Sequence, residues 1–147
     1  MRNPTQQAQL FFIVILFSTL SAAATQNEVL GTWVNQAGDG LIEISVQDGK
    51  YVGTIVGSTD PNRTKRKDVN NPDPKLRTRT LKGVMILGDL SYQGENEWDG
   101  GWIYDPNNGE MYQCKMTLED KNTLAIRGFI GFSLFGRTEI WKRKTNH

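Results

Sequence analysis

The chain has 147 residues and carries 17 Lys and Arg against 16 Asp and Glu, a formal net charge of +1. This length suits a single domain that buries its core without disulfide support. The balanced charge argues against a nucleic-acid partner, which requires a basic excess. The one cysteine, Cys114, excludes an intrachain disulfide. Because Cys114 shares an apolar strand face with Tyr112 and Met116, we expect a buried, unreactive thiol.

The first 24 residues have the features of a secretory signal peptide. An uncharged apolar run from Leu10 to Leu20 precedes Ser21-Ala22-Ala23-Ala24, which predicts cleavage after Ala24. The run is too short to span a bilayer, which needs about 20 residues, and no nearby cysteine offers a site for a lipid. We therefore expect a periplasmic or secreted protein that begins at Thr25 and has no membrane anchor. A buried core helix is the alternative for this segment.

Residues 25–147 show the alternation of apolar and polar side chains that predicts antiparallel β-strands in a single domain. Within residues 41–47, for example, Ile42, Ile44 and Val46 alternate with polar neighbours. The predicted strands are 31–35, 41–47, 50–58, 81–87, the two arms of a hairpin within 98–118, 123–130 and 137–144.

The clearest element is the β-hairpin at residues 98–118. Trp98, Trp102 and Tyr104 share one parity in its first arm, and Tyr112 resumes an apolar face in the second arm. The intervening Asp-Pro-Asn-Asn-Gly segment favours a tight reversal, because Pro fixes φ and the last residues tolerate positive φ. We therefore expect the three aromatic residues of the first arm to point to one side.

Eight strands joined mostly by short turns predict an all-β, eight-stranded antiparallel up-and-down barrel, because closing the sheet removes its exposed edges. The exceptions are residues 59–80, whose prolines and mixed charges predict a long surface loop, and residues 88–97, a polar excursion. A β-sandwich is the alternative, although it needs longer crossovers. A barrel of eight strands either fills its interior with side chains or holds one small ligand.

Two resemblances support the barrel. Gly31-Thr32-Trp33 on the first strand and Arg143 on the last are similar to the calycin pattern, in which a Gly-x-Trp packs near a basic residue. From Leu30 to Arg143 the chain also resembles the exported bacterial family catalogued as domain of unknown function 2147. The motifs that carry this resemblance are Asp68 with Asn71-Pro72-Asp73-Pro74, Leu76-Arg77-x-Arg79, Gly83, Trp98 with Gly100-Gly101-x-Ile103-Tyr104-Asp105-Pro106, Gly109-x-x-Tyr112, Arg127-Gly128-x-Ile130-Gly131, and Gly136-Arg137-Thr138-x-x-Trp141-x-Arg143.

The family resemblance implies a lipocalin-like barrel in an exported protein, and it implies no established catalytic reaction. A cysteine that is often expected soon after the Arg-x-Arg motif is replaced here by Val84-Met85-Ile86. The resemblance therefore leaves Cys114 without a disulfide partner.

The sequence offers few residues for catalysis or metal binding. The one histidine, His147, is the last residue, which argues against a Ser-His-Asp triad and against histidine-based metal sites. Carboxylate chemistry has four candidate residues, although their spacing indicates no pair: Asp68, Asp73, Asp99 and Asp105. A calcium site has five candidate oxygen ligands: Asp60, Asp68, Asn70, Asn71 and Asp73. Their spacing matches no 12-residue calcium loop, and those beside Pro72 and Pro74 are more simply explained as turn formers.

Basic and aromatic side chains form the candidate ligand site. In an extended chain Arg77 and Arg79 point the same way and could hold a carboxylate or phosphate; alternatively they pair with acidic residues and fix the long loop to the barrel rim. Four aromatic residues are candidates for a cavity wall or, alternatively, for the core: Trp98, Trp102, Tyr104 and Tyr112. Three phenylalanines spaced between glycines predict a lid over the cavity or a plug that closes it: Phe129, Phe132 and Phe135.

The leading hypothesis is an exported lipocalin-like binding protein for a small, mainly apolar or amphipathic molecule. An acidic head group of that molecule would lie near Arg77 or Arg79. No cofactor, metal, nucleic acid or membrane anchor is implied, and we expect a monomer or weak dimer. The alternatives are a cell-envelope protein that acts on another protein through its outer surface, and a small Asp-dependent hydrolase.

Overall fold

Eight strands close into an antiparallel barrel in which each strand pairs with the next and the last pairs with the first. The computed structural model describes residues 25–145; the predicted signal peptide, residues 1–24, and His147 lie outside the described residues. The strands are β1 (Gly31–Val34), β2 (Gly40–Gln47), β3 (Lys50–Ser58), β4 (Met85–Gly94), β5 (Glu97–Asp105), β6 (Glu110–Asp120), β7 (Thr123–Phe129) and β8 (Gly136–Arg143). The predicted up-and-down barrel is confirmed, and the sandwich alternative is wrong.

The period-two alternation of the strands produces the barrel core. On β2 the side chains of Ile42 and Ile44 are buried, whereas Glu43 between them is exposed. On β6 the same alternation buries Met116 and Leu118. Side chains of successive residues leave a strand on opposite faces, so one face of each strand fills the barrel and the other faces outward.

Strand β4 differs from the prediction of a strand at 81–87 followed by a polar excursion at 88–97. A register shift sets three residues of β4 against two of β3, and Asp89 has a positive φ of 60°. The extra residue is a β-bulge, which lets Leu87 and Leu90 both reach the core. Because the bulge breaks the period of two, the sequence pattern of this strand looks irregular although the strand continues.

The first arm of the hairpin, β5, also departs from the predicted parity. Trp98 lies opposite the buried Met116, but the register shifts before the next paired residues, and Gly100 has a φ of 78°. This bulge moves Trp102 and Tyr104 to the face opposite that of Trp98. The prediction that these three aromatic residues share a face is therefore wrong.

One end of the barrel is closed by the residues of the Gly-x-Trp pattern. Trp33 is fully buried and donates its indole N–H to the Val29 carbonyl at 2.9 Å. The Arg143 guanidinium lies 4.2 Å from the centre of the Trp33 ring. It also donates to the carbonyls of Leu30 at 2.9 Å and Lys121 at 2.6 Å. The predicted packing of Trp33 against a basic residue of the last strand is confirmed.

Trp98 fills the interior near this closed end. Its ring contacts Tyr51 edge-on, with centroids 5.8 Å apart, and Tyr92 at a tilt, with centroids 5.1 Å apart. Such aromatic contacts add to the free energy of burying the rings. This half of the barrel is packed with side chains.

The long loop between β3 and β4 spans residues 59–84 and carries two short 3-10 helices, Pro61–Arg63 and Pro74–Leu76. Asp60 and Asp73 cap these helices by accepting hydrogen bonds from backbone N–H groups, each at 2.9 Å. The turn-forming role predicted for Asp73, beside Pro74, is confirmed. Neither helix, nor any other in the described part of the chain, has the length and apolar character needed to cross a lipid bilayer.

Candidate ligand-binding site

A cavity of about 500 Å³ opens at the end of the barrel opposite Trp33. Its mouth lies among the β1–β2, β3–β4, β5–β6 and β7–β8 connections. The inner part of its wall is formed mainly by branched aliphatic side chains and one tryptophan: Ile42, Ile55, Ile86, Ile103, Ile126 and Trp141. The interior is therefore divided into a packed half and a hollow half, whose inner wall is apolar and whose mouth is lined by polar side chains.

Four cations line the mouth of this cavity: Arg63, Arg66, Lys82 and Arg137. Arg63 forms an ion pair with Asp39, and Arg137 donates to Glu139 at 2.9 Å. Arg66 donates to the neutral Asn107 side chain at 2.6 Å. Within residues 25–145, Arg66 and Lys82 are thus the mouth cations that form no ion pair with a carboxylate.

The long loop is fastened to the outer wall by a buried polar group, here named the Asp68 cluster (Asp68, Asn71, Arg79 and Tyr104). Asp68 is fully buried. It accepts hydrogen bonds from Tyr104 Oη at 2.6 Å, Asn71 Nδ2 at 2.8 Å, and Arg79 Nη2 at 2.8 Å and Nε at 3.0 Å. A buried carboxylate with this many donors is satisfied, and it ties the loop to β5.

The same contacts shift the pKa values of the cluster. Burial alone would raise the pKa of Asp68, but the hydrogen bonds from Tyr104, Asn71 and Arg79 outweigh it and hold the pKa below its usual value. Burial and the adjacent Asp68 carboxylate raise the pKa of Tyr104 to about 12. The carboxylate is therefore ionised and the phenol neutral across the physiological range.

Sequence comparisons now bear on this fold and cavity. The family described as "Uncharacterized protein conserved in bacteria (DUF2147)" matches residues 31–143. The chain belongs to this family. A solved structure from Helicobacter pylori, protein HP1028, which is described as belonging to the lipocalin family, is 27% identical, with a TM-score of 0.72. That similarity covers 80% of this chain and 83% of the Helicobacter protein. No curated protein matches.

A lipocalin-like barrel suggests small-ligand binding in general. The hollow half of the barrel is the place that such a ligand would occupy in this DUF2147 chain, because its inner wall is apolar and its mouth is open.

Arg77 and Arg79 lie outside the cavity lining. Arg77 donates through Nε to the Asn71 carbonyl at 2.7 Å, and Arg79 belongs to the Asp68 cluster. Both residues therefore make contacts that fix the long loop, which was the alternative to ligand binding in the sequence analysis. Arg77, however, pairs with a carbonyl and not with an acid. The sequence could not decide between the two roles, because it does not show on which side of the wall the loop runs.

The four aromatic candidates separate into different environments. Tyr112 lines the cavity, and its hydroxyl donates to Glu110 at 2.7 Å. Tyr104 borders the cavity, but its hydroxyl is occupied by Asp68. Trp98 lies in the packed half of the barrel. Trp102 lies on the outer wall against Gly88, where its indole N–H donates to Asp89 at 2.8 Å.

The three phenylalanines lie at the mouth, around the connection between β7 and β8. Phe129 and Phe135 line the mouth, whereas Phe132 does not. The rings of Phe132 and Phe135 are mostly exposed to solvent. In this structure they neither plug the barrel nor close over it, since the cavity is open beside them.

The remaining candidates have structural contacts. Cys114 is a free, fully buried thiol, and its burial raises its pKa to about 12. Of the four aspartates considered for carboxylate chemistry, only Asp105 lines the cavity, so they do not converge there. Within residues 25–145 no cluster of three His, Cys, Asp or Glu side chains could hold a metal ion.

The cavity wall itself was missed in the sequence. The inward isoleucines were assigned to strands, but nothing in their alternation distinguishes a hollow interior from a filled one. Trp141 appeared only as a family motif. Arg66 was assigned to the charge-rich loop and Lys82 to a predicted strand, because a position at the mouth depends on how residues 59–84 fold back over the barrel.

Proposed function

We propose that this protein is exported and carries a small, mainly apolar molecule with an acidic head group in the hollow half of its barrel. The apolar tail lies against the isoleucine wall and Trp141. The head group stays at the mouth. The observation that carries the proposal is the open, apolar cavity of about 500 Å³ in a lipocalin-like barrel.

The size of the cavity supports a ligand such as a medium-chain fatty acid. Small-molecule sites commonly measure about 300–1,000 Å³. Each methylene that leaves water contributes about 0.8 kcal/mol, so ten methylenes contribute about 8 kcal/mol. Before ordering costs this sum corresponds to about micromolar affinity, which is therefore the upper limit for the tail alone.

The charge at the mouth supports the acidic head group. Arg66 and Lys82 line the mouth without a carboxylate partner among the described residues. A carboxylate placed between them would gain charge-assisted hydrogen bonds. Arg66 and Lys82 thus replace Arg77 and Arg79 as the residues proposed to bind the head group.

A fluorescence titration tests the proposal. Trp141 lies in the cavity wall, so a medium-chain fatty acid added below its micelle concentration should change tryptophan emission saturably. Trp141→Phe should remove most of this change while binding persists by calorimetry. The corresponding fatty alcohol serves as the matched ligand without the charge.

Substitutions separate the head group from the tail. Arg66→Ala and Lys82→Ala should each weaken the acid about twofold to fivefold and leave the alcohol unchanged. Arg77→Ala is the control, because Arg77 is a cation of the same loop that lies outside the cavity. Equal weakening of acid and alcohol would contradict the head-group assignment. A flat titration with both ligands would contradict carriage altogether.

A further inference from the structure

The connection between β7 and β8 exposes an unusual concentration of apolar side chains, here named the apolar tip (residues 130–135). The exposed fractions are 71% for Ile130, 76% for Phe132, 79% for Leu134 and 71% for Phe135. Single exposed apolar residues are ordinary on protein surfaces, whereas a contiguous group of large ones marks an interaction site.

Hydrogen bonds from the neighbouring strand hold the backbone of the apolar tip. Arg127 on β7 donates through Nε to the Ser133 carbonyl at 2.5 Å and through Nη2 to the Leu134 carbonyl at 3.1 Å. The Phe135 N–H donates to the Phe132 carbonyl at 3.0 Å. These contacts satisfy polar backbone groups that would be costly to transfer into an apolar environment. The tip therefore combines satisfied carbonyls with outward apolar side chains.

We propose that the apolar tip inserts into the surface of an anionic lipid bilayer. Six residues are too few for a stable protein interface, which buries about 800 Å² on each partner. A few apolar side chains are sufficient to enter the boundary between lipid head groups and acyl chains.

The charge around the tip favours anionic lipids. Four cations line the cavity mouth against three carboxylates, Asp39, Asp105 and Glu139. Arg137 lies two residues after the tip, and its side chain is 75% exposed. Such cations attract the negative head groups of a bilayer over roughly a Debye length.

Insertion would bring the cavity mouth against the lipid, because Ile130 and Phe135 belong both to the tip and to the mouth. This inference goes beyond the carriage proposed above, since the tip can insert whether or not the cavity is occupied. If both hold, an apolar molecule passes between bilayer and barrel with little exposure to water.

Vesicle flotation tests the insertion. The chain from Thr25 onward contains the whole closed barrel and lacks the apolar run of residues 1–24, which could itself bind lipid. This chain should float with phosphatidylcholine–phosphatidylglycerol vesicles and bind less to phosphatidylcholine alone. Phe132→Ser combined with Leu134→Ser should lower the partition coefficient at least about tenfold. Val46→Ser is the control, because Val46 is 45% exposed near the closed end.

A reporter variant tests the same proposal without loss of binding. Phe132→Trp should shift its emission to the blue on vesicle binding and be quenched by brominated acyl chains. No quenching, or equal flotation of the double variant and the parent, would overturn the proposal. A dimer that is lost in the double variant, without vesicle binding, would assign the tip to a second copy of the chain. Ligand carriage is measured separately, by titration with soluble fatty acid in the absence of vesicles. Saturable binding there, together with no vesicle binding, would contradict the insertion and leave ligand carriage intact.

Discussion

At the scale of single residues, Trp33 anchors the closed end of the barrel. It is fully buried, it donates to Val29, and Arg143 covers its ring at 4.2 Å. Trp33→Ala removes these contacts and leaves a cavity, so we expect a loss of roughly 3–5 kcal/mol in the free energy of unfolding. Denaturant melts measure this loss. Trp102→Ala, on the outer wall, should cost less, and a loss below about 1 kcal/mol for Trp33→Ala would contradict its anchoring role.

Cys114 gives a second prediction at this scale. Because burial raises its pKa to about 12, almost no thiolate forms at pH 8, and the side chain is inaccessible. A thiol reagent such as dithionitrobenzoate should therefore react with the folded protein at least about a hundredfold more slowly than with the protein in denaturant. Fast reaction of the folded protein would show that β6 is open at this position.

At the scale of elements, strand positions were predictable where the period of two is unbroken. The alternation within residues 41–47 predicted β2, and the Asp-Pro-Asn-Asn-Gly segment predicted the turn before β6. Prediction failed on β4 and β5, where bulges at Asp89 and Gly100 change the parity. A bulge depends on pairing with the neighbouring strand, which the local sequence does not reveal.

The candidate site was less predictable than the strands. Tyr112, Phe129 and Phe135 do line the cavity. Arg77 and Arg79 do not, because the loop carries them to the outer wall. In the Asp68 cluster, Tyr104 pairs with Asp68, which lies 36 positions earlier in the chain. Neither the local sequence pattern nor the spacing of the two residues indicates this contact.

The Asp68 cluster leads to the prediction for the long loop. Asp68→Asn should destabilise the protein by about 1–3 kcal/mol at pH 7, because it removes charge-assisted hydrogen bonds and disturbs buried donors. Amide exchange within residues 59–84 should accelerate at the same time. Glu119→Gln, at an exposed carboxylate, is the control and should change neither property.

The pH dependence of this variant has a defined sign. The folded state holds the Asp68 pKa below the unfolded value of about 3.9. Its contribution is therefore present above that value and is lost as the pH falls through the folded pKa. The stability difference between the parent and Asp68→Asn should shrink between pH 5 and strongly acidic pH, about pH 2, in urea melts. A difference that stays constant would contradict the ionised carboxylate.

At the scale of the whole molecule, the barrel in residues 25–145 is preceded by the segment that we propose to be removed on export. Mass spectrometry of the protein recovered from outside the cytoplasm should find Thr25 as the first residue. We expect cleavage before Thr25 because the apolar run from Leu10 to Leu20 is followed by small residues at the cleavage site. Recovery of a chain that retains Met1 would contradict this processing.

We propose that the ligand occupies the hollow half of the barrel, and one position in its wall tests this directly. Gly128 faces this cavity from β7, and a Cβ there would meet Ile103 Cγ2 at 3.4 Å and Tyr112 Cβ at 3.7 Å. A larger side chain at this position has room to enter the cavity and displace ligand methylenes. Ala125, three positions earlier on the same strand, belongs to the opposite, outward parity and offers a matched control.

The most direct measurement is calorimetric titration of a medium-chain fatty acid into the parent, Gly128→Leu and Ala125→Leu. We predict saturable binding to the parent and to Ala125→Leu, and affinity at least about tenfold weaker for Gly128→Leu, since a Leu side chain takes the place of several methylenes. Unfolding melts of the three proteins establish that all are folded. Equal affinity of Gly128→Leu and the parent would contradict binding inside the barrel.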